Sequence, residues 1–131
     1  MPVRCPWAST SDPDYLVLGD LNTAREESEF GGLDAAFATG TGLERQDNPA
    51  GCTSYWIKKT GNPLVRPSWL DQVYRSSLEE LDPEVPIASG AHCAEHACQQ
   101  FESRDAASGT SFYSVSDHCP VYFELRDTDT D

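Results

Sequence analysis

Three short segments of this chain carry side chains that could do chemistry together. Gly19-Asp20-Leu21-Asn22 follows an apolar run. Gly, Asp and Asn are ordinary turn residues, so the segment reads as a strand-to-helix turn. It reads equally well as a ligand site, because ligands of α/β sheets bind outside the carboxyl ends of strands, where Asp20 and Asn22 would stand. Trp69-Leu70-Asp71-Gln72-Val73-Tyr74 sets a single carboxylate inside an apolar stretch. Such a group is costly to bury unpaired, and His118 of Ser116-Asp117-His118-Cys119-Pro120-Val121 is the best partner in the sequence. A carboxylate that orients an imidazole and stabilises its protonated form is an acid–base pair. The plainer alternative leaves Asp71 on the solvent face of a half-exposed strand.

Asp117 and His118 are adjacent, so on a fully extended strand they would point to opposite faces. Both reach one site only where the backbone is irregular, and Pro120 argues against a regular central strand there. The plainer reading is a polar edge turn with a surface histidine. A Ser-His-Asp triad is a poor alternative, because adjacent residues cannot line up as nucleophile, base and orienter. No Gly-x-Ser-x-Gly elbow occurs in the chain. His92, Cys93, His96 and Cys98 put four nitrogen and sulfur ligands close together. Their spacing fits no zinc finger well, and a Cys93–Cys98 disulfide accounts for the same cysteines.

Taken in order, Gly-Asp-Leu-Asn, an Asp-bearing aromatic and aliphatic strand, and Ser-Asp-His-x-Pro-Val resemble the DNase I-like endonuclease/exonuclease/phosphatase superfamily. The resemblance runs from Tyr15 to Leu125 and is strong only at the motifs. It implies that Asp20 and Asn22 position the attacking water and a phosphate oxygen. Asp117, with Asp20, would be a metal ligand, His118 the catalytic histidine and Asp71 its orienting carboxylate. The implied chemistry is hydrolysis of a phosphodiester or phosphomonoester by activated water. Hard oxygen ligands imply Mg²⁺, with Mn²⁺ or Ca²⁺ as alternatives. The family's fold is a four-layer β-sandwich flanked by helices and built from two similar halves. Its early metal-binding Asn and Glu and a mid-chain His precede the Gly-Asp-x-Asn strand. Here about fourteen residues do, with neither Glu nor His among them. The expectation is therefore an α/β (α+β) C-terminal half-domain over residues 1–126. It would be weak or inactive alone, and would either self-associate or be completed by an N-terminal half. A non-catalytic remnant that binds a partner is the rival.

The elements that must position these groups can be read from pattern. Residues 14–19 form an apolar run that suits a strand buried on both faces. Thr23 to Phe30 favours a helix, with capping-box spacing from Thr23 to Glu26. Leu33 to Ala38 reads as a second short helix ended by Gly40 and Gly42. Strands are predicted over 53–57, 69–74, 85–88 and 121–125. Residues 89–110 read as irregular, the first dozen as loop, and 127–131 as a disordered acidic tail.

Composition narrows the partners. The chain has 131 residues, the size of one ordinary domain, and a mean hydropathy of −0.52 fits a soluble globular protein. No stretch approaches the roughly eighteen apolar residues of a membrane span, and the N-terminus shows no signal-peptide core. Net charge is −13, with nine Lys and Arg and one close basic pair, Lys58-Lys59. Grip on long duplex DNA needs a basic stripe. A small phosphoester, a phospholipid headgroup or a short nucleotide suits an acidic protein better, because a cation supplies the positive charge. Tyr55, Trp56 and Trp69 could stack on a base but read first as core. Of five cysteines, Cys119 reads as a reduced, buried hydrophobe. Cys5, Cys52, Cys93 and Cys98 allow three pairings if all are oxidised, and Cys93–Cys98 is preferred. That count points to a secreted or periplasmic home.

Overall fold

A computed structural model describes residues 15–23, 27–57, 64–76, 85–107, 109 and 115–126, without the side chains of 27–29. The opening segment with Cys5, the capping-box Glu26, Lys58-Lys59 and the 127–131 tail lie outside the described residues. The fold is α+β with small antiparallel sheets. In chain order the elements are β1 (Leu16–Asp20), α1 (Glu27–Thr41), β2 (Glu44–Arg45), β3 (Ser54–Ile57) and β4 (Val65–Ser68). They continue with β5 (Asp71–Arg75), β6 (Ala88–Ser89), α2 (Ala91–Glu95) and β7 (Val121–Tyr122).

The central sheet has the order β1-β5-β2, while β3 pairs with β4 and β6 with β7. Strands β1 and β5 run antiparallel with Leu18 opposite Val73 and Asp20 opposite Asp71. One face of this sheet is covered by α1, where Phe37 stacks on Tyr74 at 4.2 Å and Phe30 meets Trp69 edge-on. The other face is only partly covered: Val73 is buried, yet its neighbour Leu18 is 61% exposed. The predicted strand buried on both faces is thus one open on one side. A second core gathers Cys52, Tyr55, Val65, Cys93, Ala107 and Cys119 under the β3–β4 hairpin.

Several element boundaries differ from the sequence reading. The two predicted helices are a single one that runs through Gly31 and Gly32. Glycine weakens a helix by about 1 kcal/mol relative to Ala. Phe30, Asp34 and Phe37 offset this, because their helical spacing sets them on one face that docks on the sheet. Gly42, at φ +75°, ends the helix with its N–H on the Ala38 carbonyl, while Gly40 stays inside it. Asp71 begins β5 and is not in mid-strand, because Trp69 and Leu70 belong to the connection before it. Helix α2 and the short β6 occupy the region around 89–110 that reads as irregular. The last strand shrinks to two residues and pairs with β6.

The cysteine pairing is also different. The bonds are Cys52–Cys98 and Cys93–Cys119, so the local Cys93–Cys98 staple is absent and Cys119 is buried but oxidised. The reason lies in α2. The chain stays coiled after it, with Cys98 N–H on the Cys93 carbonyl at 3.1 Å. Cys93 lies wholly buried in the second core beside Cys119, and Cys98 reaches Cys52 at the start of the hairpin.

Candidate functional site

The end of β1 is shaped by glycine and asparagine. Gly19 has φ +152°, and a Cβ there would meet nothing within 4 Å. The need for glycine is therefore conformational, since side-chain-bearing residues avoid this region. Beyond it the Asp20 Oδ1 accepts the Asn22 N–H at 2.9 Å, and Asn22 takes the left-handed φ of 54° that Asn tolerates. This local turn fixes the Asp20 carboxylate at the strand end and leaves its Oδ2 directed elsewhere.

Register then brings the two acidic motifs together. Asp20 and Asp71 are cross-strand partners, a like-charge pairing that is unfavourable by itself. The His118 imidazole relieves it. Its Nδ1 lies 2.9 Å from Asp71 Oδ2, and its Nε2 lies 3.8 Å from Asp20 Oδ2. The segment carrying His118 is tied to Ser54 of β3 by an isolated bridge and to α2 by the Cys93–Cys119 disulfide. His118 N–H also donates to Ser116 Oγ at 3.0 Å.

Electrostatics follow from this geometry. Partial burial disfavours the charged imidazole, but the hydrogen bond and charge of Asp71, with the charges of Asp20 and Asp117, outweigh it. The His118 pKa therefore stands above the usual histidine value. His92, buried in the second core, is driven the other way by desolvation, against a hydrogen bond to the Asp117 backbone.

Of the residues singled out in the sequence, Asp20, Asp71 and His118 form one cluster. Asn22 joins through its backbone N–H, and its side chain is exposed. The Asp117 side chain is exposed as well. It acts on His118 through its charge, and its carbonyl accepts the Tyr55 N–H at 2.8 Å. Trp69 is core, Trp56 is exposed at 42% and Tyr55 is buried with its hydroxyl donating to the Gln99 carbonyl.

Two metal assignments can be tested against these positions. The zinc cluster fails, because Cys93 and Cys98 are bonded to other sulfurs. The sole set of three candidate ligands among the described residues, His92, Cys93 and Cys119, contains one of those disulfides. Asp20 and Asp117 are hard oxygen donors of the kind Mg²⁺ takes. They match it in chemistry but not in number, since no set of three His, Cys, Asp or Glu ligands among the described residues includes either of them.

One residue that matters to the cluster escapes the sequence reading. Thr53 precedes β3 and accepts two backbone N–H groups, from Leu70 at 3.1 Å and Asp71 at 2.9 Å, on its hydroxyl. In sequence it reads only as a β-former, and no motif marks it. Among the described residues no helix is long and apolar enough to cross a membrane. No protein-family profile, curated protein or solved structure matches this chain.

Proposed function

We propose that the chain is the C-terminal half of a DNase I-like phosphoester hydrolase in which the Asp71–His118 pair handles the proton. The observation that carries this reading is the imidazole set between two carboxylates, with Nδ1 on Asp71 and Nε2 toward Asp20. Asp71 holds the proton on Nδ1 and leaves Nε2 to accept one. A water beside Nε2 then attacks phosphorus. Its oxygen forms the new P–O bond, its proton passes to Nε2, and the bond to the leaving oxygen breaks with the electron pair. Asp20, fixed by the Asn22 N–H, orients that water and steadies the imidazolium. A divalent cation, Mg²⁺ first and Mn²⁺ or Ca²⁺ as substitutes, would be held by Asp20 and Asp117 with donors from substrate or from a further segment. When bound, it supplies charge to the phosphoryl oxygens.

The surroundings favour small substrates. A cavity of about 310 Å³ is lined by His118 together with Ala91, His92, Val115 and Pro120 among others, room for a small organic group. With a net charge of −13, phosphomonoesters, phospholipid headgroups or short nucleotides fit better than long duplex DNA. The two disulfides suit an oxidising, extracytoplasmic home. A second reading, a non-catalytic half-domain that binds a partner, is favoured by the exposed Leu18 on the open sheet face.

The test is hydrolysis of a panel of phosphoesters by the full gene product, with Mg²⁺ or Mn²⁺ present or chelated. Cation-dependent turnover that rises with pH through a value above 6.5 and is lost in His118→Ala supports the hydrolase. No turnover with any cation, or turnover indifferent to His118→Ala, overturns it.

A further inference from the structure

The members of the Asp71–His118 pair come from separate parts of the chain. Asp71 opens β5 of the central sheet, whereas His118 lies against β3 of the hairpin. Thr53 is where these two frames meet. It has no exposed surface, and its hydroxyl accepts the N–H groups of both Leu70 and Asp71. Its carbonyl accepts the Cys119 N–H at 2.7 Å, and its own N–H donates to the Ser68 carbonyl at 2.8 Å. The Asp71 carbonyl is held in turn by the Trp69 indole N–H at 3.0 Å. One residue thus grips the backbone at Asp71 with its side chain and the backbone next to His118 with its main chain. A hydroxyl has two acceptor lone pairs, and both are used here. Branching at Cβ keeps the hydroxyl in a preferred rotamer.

We infer that Thr53 is a positioning residue for the Asp71–His118 pair, setting the separation at which the carboxylate meets Nδ1. This rests on the hydrolase reading only for its catalytic consequence. The hydrogen-bond geometry stands without it. Substituting Thr53→Val keeps the shape and deletes the acceptor, so two partly buried N–H groups lose their partner and Asp71 drifts from the imidazole. Thr53→Ser keeps the hydroxyl and loses only a methyl.

Two readouts test this on the full chain. The first is the tautomer of neutral His118, read from its ring nitrogen NMR shifts without substrate. The wild type should hold its proton on Nδ1, facing Asp71, while Asp20 and Asp117 contribute the remaining charge around the ring. Thr53→Val should populate both tautomers, and Thr53→Ser should restore the single one. The second is kinetic: Thr53→Val should lower kcat about 10- to 100-fold with KM little changed, and Thr53→Ser should recover most of it. A wild-type tautomer in folded Thr53→Val overturns the inference. If Thr53→Val does not fold, Thr53→Ser decides, since a scrambled tautomer with the hydroxyl retained overturns it and a single one supports it. Should no phosphoester be turned over, the hydrolase reading falls while the tautomer result still judges Thr53.

Discussion

Strand β5 joins a carboxylate cluster near each end, and the two differ in what they can do. At its start, Asp71 meets the His118 imidazole at 2.9 Å. Toward its end, Tyr74 donates its hydroxyl to Asp34 of α1 at 2.6 Å. There Arg45 closes a two-pronged pair on the same carboxylate, with both contacts at 3.0 Å. Arg45 also lies over the Phe30 ring at 4.3 Å. The second cluster is made of groups that keep their charge. The Arg45 hydrogen bond, against some desolvation, holds Asp34 below the ordinary carboxylate range. Desolvation and the Asp34 contact push the Tyr74 phenol well above its usual range. A guanidinium cannot give up its proton near neutral pH, so this cluster can only hold α1 to the sheet. The imidazole at the other end can exchange one. Similar geometry therefore serves packing at one end and suits proton transfer at the other.

The largest expected effect separates the two ends by function. His118→Ala should lower phosphoester turnover about 100- to 10,000-fold and change the unfolding midpoint little, because the ring is a third exposed. Arg45→Ala should do the reverse. Comparable turnover losses in both variants would erase the distinction between the ends.

Next comes the covalent brace, which among the described residues stands at the His118 end alone. Closing loops of 26 and 46 residues, the two disulfides contribute about 3–4 kcal/mol each on the chain-entropy account. The paired substitution of Cys93→Ser with Cys119→Ser should cost that much stability and depress turnover. Thiol labelling of the denatured, unreduced chain should leave Cys52, Cys93, Cys98 and Cys119 unmodified. Labelling of Cys119 would restore the reduced, buried thiol suggested by its sequence setting.

A smaller effect belongs to the structural end. The Asp34–Arg45 pair is partly exposed, so solvent screening limits it to about 1 kcal/mol. Asp34→Asn should lose that much in a denaturant titration, leave the His118 tautomer unchanged, and weaken the docking of α1. A shift of the His118 tautomer in this variant would mean that the two ends are coupled through β5.

The contrast also marks what could be read from the residues. The Asp71–His118 contact was legible because an Asp flanked by Trp69, Leu70, Val73 and Tyr74 demands a partner, and the chain has few to offer. The turn at Asp20 and Asn22 was legible from turn chemistry. The Asp34–Arg45–Tyr74 cluster was not, because it depends on a single α1 that local rules break at Gly31-Gly32. Cysteine pairing is hidden from the sequence for a related reason. Nearness in sequence favours Cys93–Cys98, but the coil around α2 and the packing of the second core decide which sulfurs meet. Thr53 carries no mark in the sequence because its role lies in where its oxygens point, and residue type does not carry that.

The smallest expected effect is the pH dependence of stability, and it should separate the two ends by sign. His118 has a folded pKa raised above its unfolded value near 6.5. Its contribution is full below that value and is lost as pH rises through the folded pKa. Asp34 has a folded pKa lowered from 3.8. Its contribution is present above 3.8 and is lost as pH falls through the folded value. The wild type should therefore lose stability on both sides of a plateau, from separate groups. His118→Gln should flatten the loss above pH 6.5 and leave the acid limb alone. Asp34→Asn should flatten part of the acid limb and leave the alkaline side alone. Denaturant midpoints measured across the range for wild type and both variants provide the check. If His118→Gln leaves the alkaline limb unchanged, the charges of Asp71, Asp20 and Asp117 do not act on His118 as their positions require, and the acid–base assignment loses its footing.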